Sequence, residues 1–157
     1  MKMLVLGAGL QGSACAYDLL HSKGVTQVTL ADLKIDRLPA FLERVKSDKL
    51  VLKQLDVSDH AAVRQVMTGH DAVMSALPYY FNGPMAALAV ECGSHFSDLG
   101  GNTEIVFEQK KLDAAASAKG LSIIPDCGLA PGMVAILAAE GIRRLDKTER
   151  VRIYVGG

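Results

Sequence analysis

Apolar residues in this chain gather into short runs separated by stretches with helical spacing. The runs fall at 3–6, 27–31, 50–55, 72–76, 94–98 and 121–124, each four to six residues long and bounded by turn formers. Runs of that length with such boundaries read as buried strands. Helical patterns lie between them: from about Gln11 to Lys23-Gly24, over 36–46 with Pro39 in the first turn, from Ser58 or Asp59 to Met67, and from Pro84 to Cys92. A longer helix is predicted from Asn102 or Thr103 to Lys119, burying Val106, Leu112, Ala115 and Ala116, and another over 133–145. Strand and helix thus alternate six times, which predicts an α/β fold with a doubly wound parallel sheet of the Rossmann type. A last alternating stretch, 151–155, reads as a further strand running into Gly156-Gly157. That pattern predicts one domain over 1–148 and the entrance to a second over 149–157, so the chain reads as a fragment lacking a substrate domain.

The first strand runs straight into Gly7-Ala8-Gly9-Leu10-Gln11-Gly12, and a helical pattern follows at once. In that context the Gly-x-G-x-x-Gly spacing points to dinucleotide binding. Gly7 serves the tight turn, Gly9 the approach of backbone to a pyrophosphate, and Gly12 the packing of helix on strand. Leu10, Gln11 and Gly12 open the helix and offer its unpaired N–H groups to phosphate. Asp32 stands twenty positions beyond Gly12, after the second apolar run. A carboxylate there accepts hydrogen bonds from the adenosine ribose and repels a 2′-phosphate, so it argues for NAD over NADP, although Lys34 and Arg37 lie close by. Asp56 and Val57, past the third strand, are candidates for the adenine rim, with helix capping the alternative for the aspartate. Leu77 and Pro78, past the fourth strand, are placed near the nicotinamide half.

Composition narrows the function classes. Lys plus Arg and Asp plus Glu number 17 each, and no basic run stands out, so neither nucleic acid nor an anionic membrane is suggested as a partner. Cys15, Cys92 and Cys127 have no metal-ligand spacing, predict no metal site, and read as reduced thiols of a cytoplasmic protein. The stretch 121–142 is apolar but broken by Pro125, Asp126 and Pro131, which argues against a membrane span. His60 reads as solvated and His95 as structural.

Three loop sequences carry a resemblance. Leu77-Pro78-Tyr79, Asp98-Leu99-Gly100-Gly101-Asn102 and Asp126-Cys127-Gly128-Leu129-Ala130-Pro131-Gly132-Met133 resemble the nucleotide-binding part of the saccharopine dehydrogenase family, in the branch of saccharopine reductase and lysine 6-dehydrogenase. The resemblance implies an NAD(P)-dependent oxidoreductase acting on a C–N bond of an amino acid, homo-oligomeric at full length. Asp32 favours the NAD-using, lysine 6-dehydrogenase-like activity. Asn82, where saccharopine reductases would carry a histidine, departs from that activity. Tyr79, Asp98 and Cys127 are the candidate catalytic residues: Tyr79 to flank the ring, Asp98 to hold an ammonium or relay a proton, Cys127 to border the reacting carbon. The alternatives are an NADP-dependent saccharopine reductase-like enzyme and a non-catalytic NAD-sensing module of the same fold.

Overall fold

The computed structural model describes residues 1–156. Six parallel strands form one sheet: β1 (Lys2–Leu6), β2 (Gln27–Asp32), β3 (Leu50–Gln54), β4 (Ala72–Ser75), β5 (His95–Asp98) and β6 (Ile123–Ile124), in the order β3-β2-β1-β4-β5-β6. The helices between them are α1 (Leu10–His21), α2 (Ala40–Glu43), α3 (His60–Met67), α4 (Asn82–Cys92), α5 (Thr103–Lys110) and α6 (Asp113–Ala118), with α7 (Met133–Arg143) after β6. This is the doubly wound arrangement that the alternation predicts.

From Met3 onward strand β1 is apolar, because both of its faces are covered there. Leu4 and Leu6 point into a cluster with Val63 and Met67 of α3 and Met85 and Ala89 of α4, while Val5 points the other way, toward Ala16 and Leu20 of α1. All three β1 side chains are fully buried. The chain winds from β1 through β2 to β3 on one side, then returns to β4 on the other. The carboxyl ends of β1 and β4 therefore border the crevice where the winding reverses.

Several elements differ from expectation. The helix over 36–46 is only four residues long, with Pro39 as its N-cap. A residue before proline is held out of the α region, so Leu38 cannot extend it backwards. The helix to Lys119 divides into α5 and α6 near Leu112, whose side chain turns into the core. On its buried side Gln109 and Ala116 are enclosed, whereas Ala115 is exposed. The turn of 3₁₀ helix Tyr79–Phe81 leads directly into α4, which starts at Asn82 rather than at Pro84. Residues 151–155 form no strand. Val151, Ile153, Tyr154 and Val155 are all exposed, and alternation alone makes no strand without a neighbouring edge to pair with. No helix among the described residues is long and apolar enough to cross a membrane.

Candidate functional site

The glycine turn separates what the fold requires from what a ligand would use. Gly7 has φ +98°, a left-handed conformation, and its N–H donates to the Ala31 carbonyl at 2.8 Å. A Cβ on Gly12 would overlap the carbonyl oxygen of Gly7. Gly12 is thus dictated by the packing of α1 on the turn, and Gly7 by its backbone conformation and by the Ala76 carbonyl, which an added Cβ would meet at 2.8 Å. Gly9 is different, because a Cβ there would meet nothing within 4 Å. Its bare backbone faces open space, as a surface approached by a pyrophosphate should.

Gly9 is also the N-cap of α1, and no side chain caps that helix. The first turn, at Leu10, Gln11 and Gly12, holds no acidic residue. Leu10 and Gln11 are exposed. Unpaired N–H groups and the positive end of a twelve-residue helix thus stand beside the open glycine, a donor set suited to phosphate. Ser13 Oγ donates to the Ala8 carbonyl at 2.9 Å and fixes the turn from below.

Asp32 lies at the carboxyl end of β2, half-buried. Its Oδ2 accepts from the Ala8 N–H at 2.7 Å and its Oδ1 from the Lys34 N–H at 2.9 Å. Each carboxylate oxygen has a second lone pair, so Asp32 braces the turn and retains acceptor capacity. Past β3, Asp56 Oδ1 accepts from the Ser58 N–H at 2.9 Å in a local turn, and its side chain is exposed. Val57 is 9% exposed and packs in the core, which leaves its backbone rather than its side chain for an adenine rim. Asp59, not Ser58, caps α3, accepting from Ala61 and Ala62.

The loops past β4, β5 and β6 are joined to one another. Leu77 packs on the core and Pro78 caps the 3₁₀ turn that presents Tyr79 and Tyr80, whose rings meet edge to face at 5.6 Å. Gly101 lies so near Tyr79 that an added Cβ would sit 3.1 Å from the tyrosine's own Cβ. The Cys127 N–H donates to the Asp98 carbonyl at 2.8 Å, and Gly128 is pressed against the carbonyl of Leu99. Tyr79, Asp98 and Cys127 therefore belong to one continuous set of loops. A hollow of about 600 Å³ opens between the loops past β5 and β6, lined by Gly101, Asn102, Thr103, Glu104, Asp126 and Pro131 and by none of those three residues.

The three candidate catalytic residues differ in access. Tyr79 and Cys127 are exposed. Burial, and then the charges of Asp98 and Asp126, push the Cys127 thiol up from its ordinary range. That shift favours the thiol over the nucleophilic thiolate, and the Cys127 S–H donates to the Ile124 carbonyl at 3.3 Å. Asp98 is 1% exposed, with both oxygens engaged by Gly100, Asp126 and Gln109. In this arrangement it binds protein groups and leaves no face for a substrate ammonium. Asn82 is buried as well, its Oδ1 accepting from Ser75 Oγ at 2.8 Å. Sequence reasoning missed Gln109 and the Ser75–Asn82 pair, since each joins polar residues that look like surface positions.

Comparison with known proteins bears on the family and the fold. Residues 3–124 match the family model of the saccharopine dehydrogenase NADP binding domain. Saccharopine dehydrogenase [NADP(+), L-glutamate-forming] of Schizosaccharomyces pombe is 23% identical over 146 residues, covering 93% of this chain and 31% of that protein. Its counterpart of the same name in Pyricularia oryzae is 26% identical over 160 residues, covering 99% and 34%. The apo structure of saccharopine dehydrogenase (L-Glu forming) from Saccharomyces cerevisiae superposes with a TM-score of 0.74 over 90% of this chain and 30% of that one, at 22% identity. The chain thus spans about a third of the length of these relatives. With a family model that covers most of its length, this chain belongs to the family defined by the saccharopine dehydrogenase NADP binding domain.

Proposed function

We propose that this chain is the dinucleotide-binding part of an oxidoreductase that acts on a C–N bond of an amino acid and prefers NAD. The open backbone at Gly9, beside an uncapped helix end, is the observation that carries dinucleotide binding. Leu10, Gln11 and Gly12 would hold the pyrophosphate through their N–H groups, and Asp32 the adenosine ribose. When bound, the nicotinamide supplies the hydride donor or acceptor. The protein's part is to orient the ring, exclude water and supply hydrogen-bond donors. Tyr79 and the Cys127 thiol are the exposed groups suited to that work on the loops past β4 and β6. A lysine 6-dehydrogenase-like reaction, oxidative deamination of the lysine side chain, fits the preference for NAD.

A second reading is an NADP-dependent, saccharopine reductase-like enzyme. It is favoured by the relatives, whose names specify NADP. Asp32 separates the two readings, because its carboxylate opposes a 2′-phosphate and accepts from a 2′-hydroxyl. Titration with NADH and NADPH should show tighter NADH binding by about 1–3 kcal/mol, roughly tenfold to a hundredfold. In Asp32→Ser that preference should shrink, with Lys34 and Arg37 near enough to attract the phosphate. Equal binding of both nucleotides by the unaltered chain would favour the NADP-dependent reading.

A further inference from the structure

Gln109 is the one fully enclosed side chain of α5, at 2% exposure, in a helix where Ile105 and Val106 are half-buried and the rest is exposed. Its Nε2 donates to Asp98 Oδ2 at 2.6 Å. The other carboxylate oxygen, Oδ1, accepts from the Gly100 N–H at 2.7 Å and the Asp126 N–H at 3.3 Å. Asp98 therefore ties the loop past β5 to the loop past β6, and Gln109 ties Asp98 to α5. The same loop is fastened to α5 a second time, where Asn102 Oδ1 accepts from Glu104 and Ile105. Gly101 then carries the arrangement to Tyr79.

The Gln109 amide can face Asp98 only with its nitrogen, since the oxygen would repel the carboxylate. Its Oε1 is consequently buried and makes no hydrogen bond among the described residues. A buried acceptor without a partner costs stability, but a leucine or methionine at 109 would leave the buried Asp98 Oδ2 without its donor, which costs more. The amide at position 109 thus serves Asp98 and leaves its own Oε1 unpaired in doing so.

We propose that Gln109 is a positioning residue for the nicotinamide half of the dinucleotide: by holding Asp98 it keeps the loops past β5 and β6, and Tyr79 against them, in one fixed relation. The inference rests on the dinucleotide-binding reading above. The adenosine half is held elsewhere, by the turn at Gly7–Gly12 and by Asp32, and does not depend on this clamp.

The test compares NADH with ADP-ribose, which lacks the nicotinamide, in calorimetric titrations of the chain. Gln109→Leu should weaken NADH by roughly tenfold, the scale of one charge-assisted hydrogen bond, and leave ADP-ribose unchanged. Gln109→Glu sets two carboxylates against each other and should weaken NADH at least as much. The exchanged pair, Asp98→Asn with Gln109→Glu, keeps every hydrogen bond with the donor reversed and should recover most of the NADH affinity. A merely structural role would move both ligands together and would not be rescued by the exchange. Unchanged NADH binding in Gln109→Leu, or parallel loss of both ligands, overturns the proposal. If the single variants do not fold, the exchanged pair decides alone: NADH affinity near that of the unaltered chain supports the clamp, and selective loss of NADH overturns it. An unaltered chain that binds neither ligand overturns the dinucleotide reading and this proposal with it, and one that binds both equally overturns this proposal alone.

Discussion

At the scale of the residue, chemically identical positions carry different duties. Gly9 and Gly12 are both glycines of one turn, yet a side chain at Gly12 overlaps protein and one at Gly9 meets empty space. Gly12→Ala should therefore cost about 1–3 kcal/mol of stability, the range for overpacking a closed site. Gly9→Val should stay folded, with at most about 1–2 kcal/mol lost because valine is a poorer N-cap than glycine, and lose NADH binding, which thermal melts and a nucleotide titration together would check. A folded Gly9→Val that still binds NADH would move the pyrophosphate elsewhere. His70 offers a second residue-scale expectation, at the opposite end of the sheet. Its Nε2 pairs with Thr29 Oγ1 at 2.8 Å and its buried Nδ1 makes no hydrogen bond among the described residues. Burial is the largest cause that lowers its pKa, and Lys2 adds to it, against smaller upward pulls from the backbone of Val66 and Met67 and from Asp71. The folded form thus binds a proton less readily than the unfolded one. Stability should fall as pH drops through the ordinary histidine value of about 6.5, because the unfolded chain then takes up a proton that the folded chain resists. His70→Gln should flatten that decline in melts run between about pH 7.5 and 5.5, and an unaltered slope would assign the acid sensitivity to other groups.

At the scale of the element, legibility depended on whether an element's reasons are local. The Asp59 cap of α3 is local: its carboxylate accepts from Ala61 and Ala62 at 3.0 Å each, and residue type and place narrow the cap in the sequence to Ser58 or Asp59. Asp59→Ala should cost about 0.5–2 kcal/mol in a denaturant melt, and a smaller loss would mean that packing of Val63 and Met67 alone holds α3. Strand β1 and the glycine turn were legible for the same reason, since apolar run, glycines and helix follow one another without a break. The short α2 was half legible. The helical spacing is present, but Leu38 is restrained by Pro39 and the pattern cannot express itself before residue 40. Gln109 was not legible at all. Its partner Asp98 is eleven residues away across a loop, and a glutamine between Glu108 and Lys110 looks like one more solvated residue. The Ser75–Asn82 pair was hidden similarly, with one partner at the end of β4 and the other in the first turn of α4. Asp32 was legible as a carboxylate at the right place, while its bonds to the Ala8 and Lys34 backbones needed the fold.

At the scale of the molecule, packing is uneven from one end of the chain to the other. Leu4, Val5 and Leu6 of β1 are fully buried between two layers of helices, whereas α7 has no buried residue. Ile136 and Leu137 of α7 are 72% and 61% exposed, and Tyr154 beyond it is 85% exposed. A helix in that condition draws little from the core and should open to solvent independently of the sheet. Two substitutions of the same chemistry measure the contrast. Leu6→Ala removes a fully enclosed side chain and should cost about 2–5 kcal/mol, transfer and cavity together. Leu137→Ala removes a side chain already in water and should stay within about 0.5 kcal/mol. Alanine is moreover the better helix former, so the sign of the small effect should if anything be stabilising. Denaturant melts of both variants give the two numbers on one scale. A loss of more than about 1 kcal/mol in Leu137→Ala would exceed what an exposed position can account for. That outcome would mean that α7 lies against other apolar surface in solution, and the carboxyl-end loops that lead into it would then be more closed than they stand here.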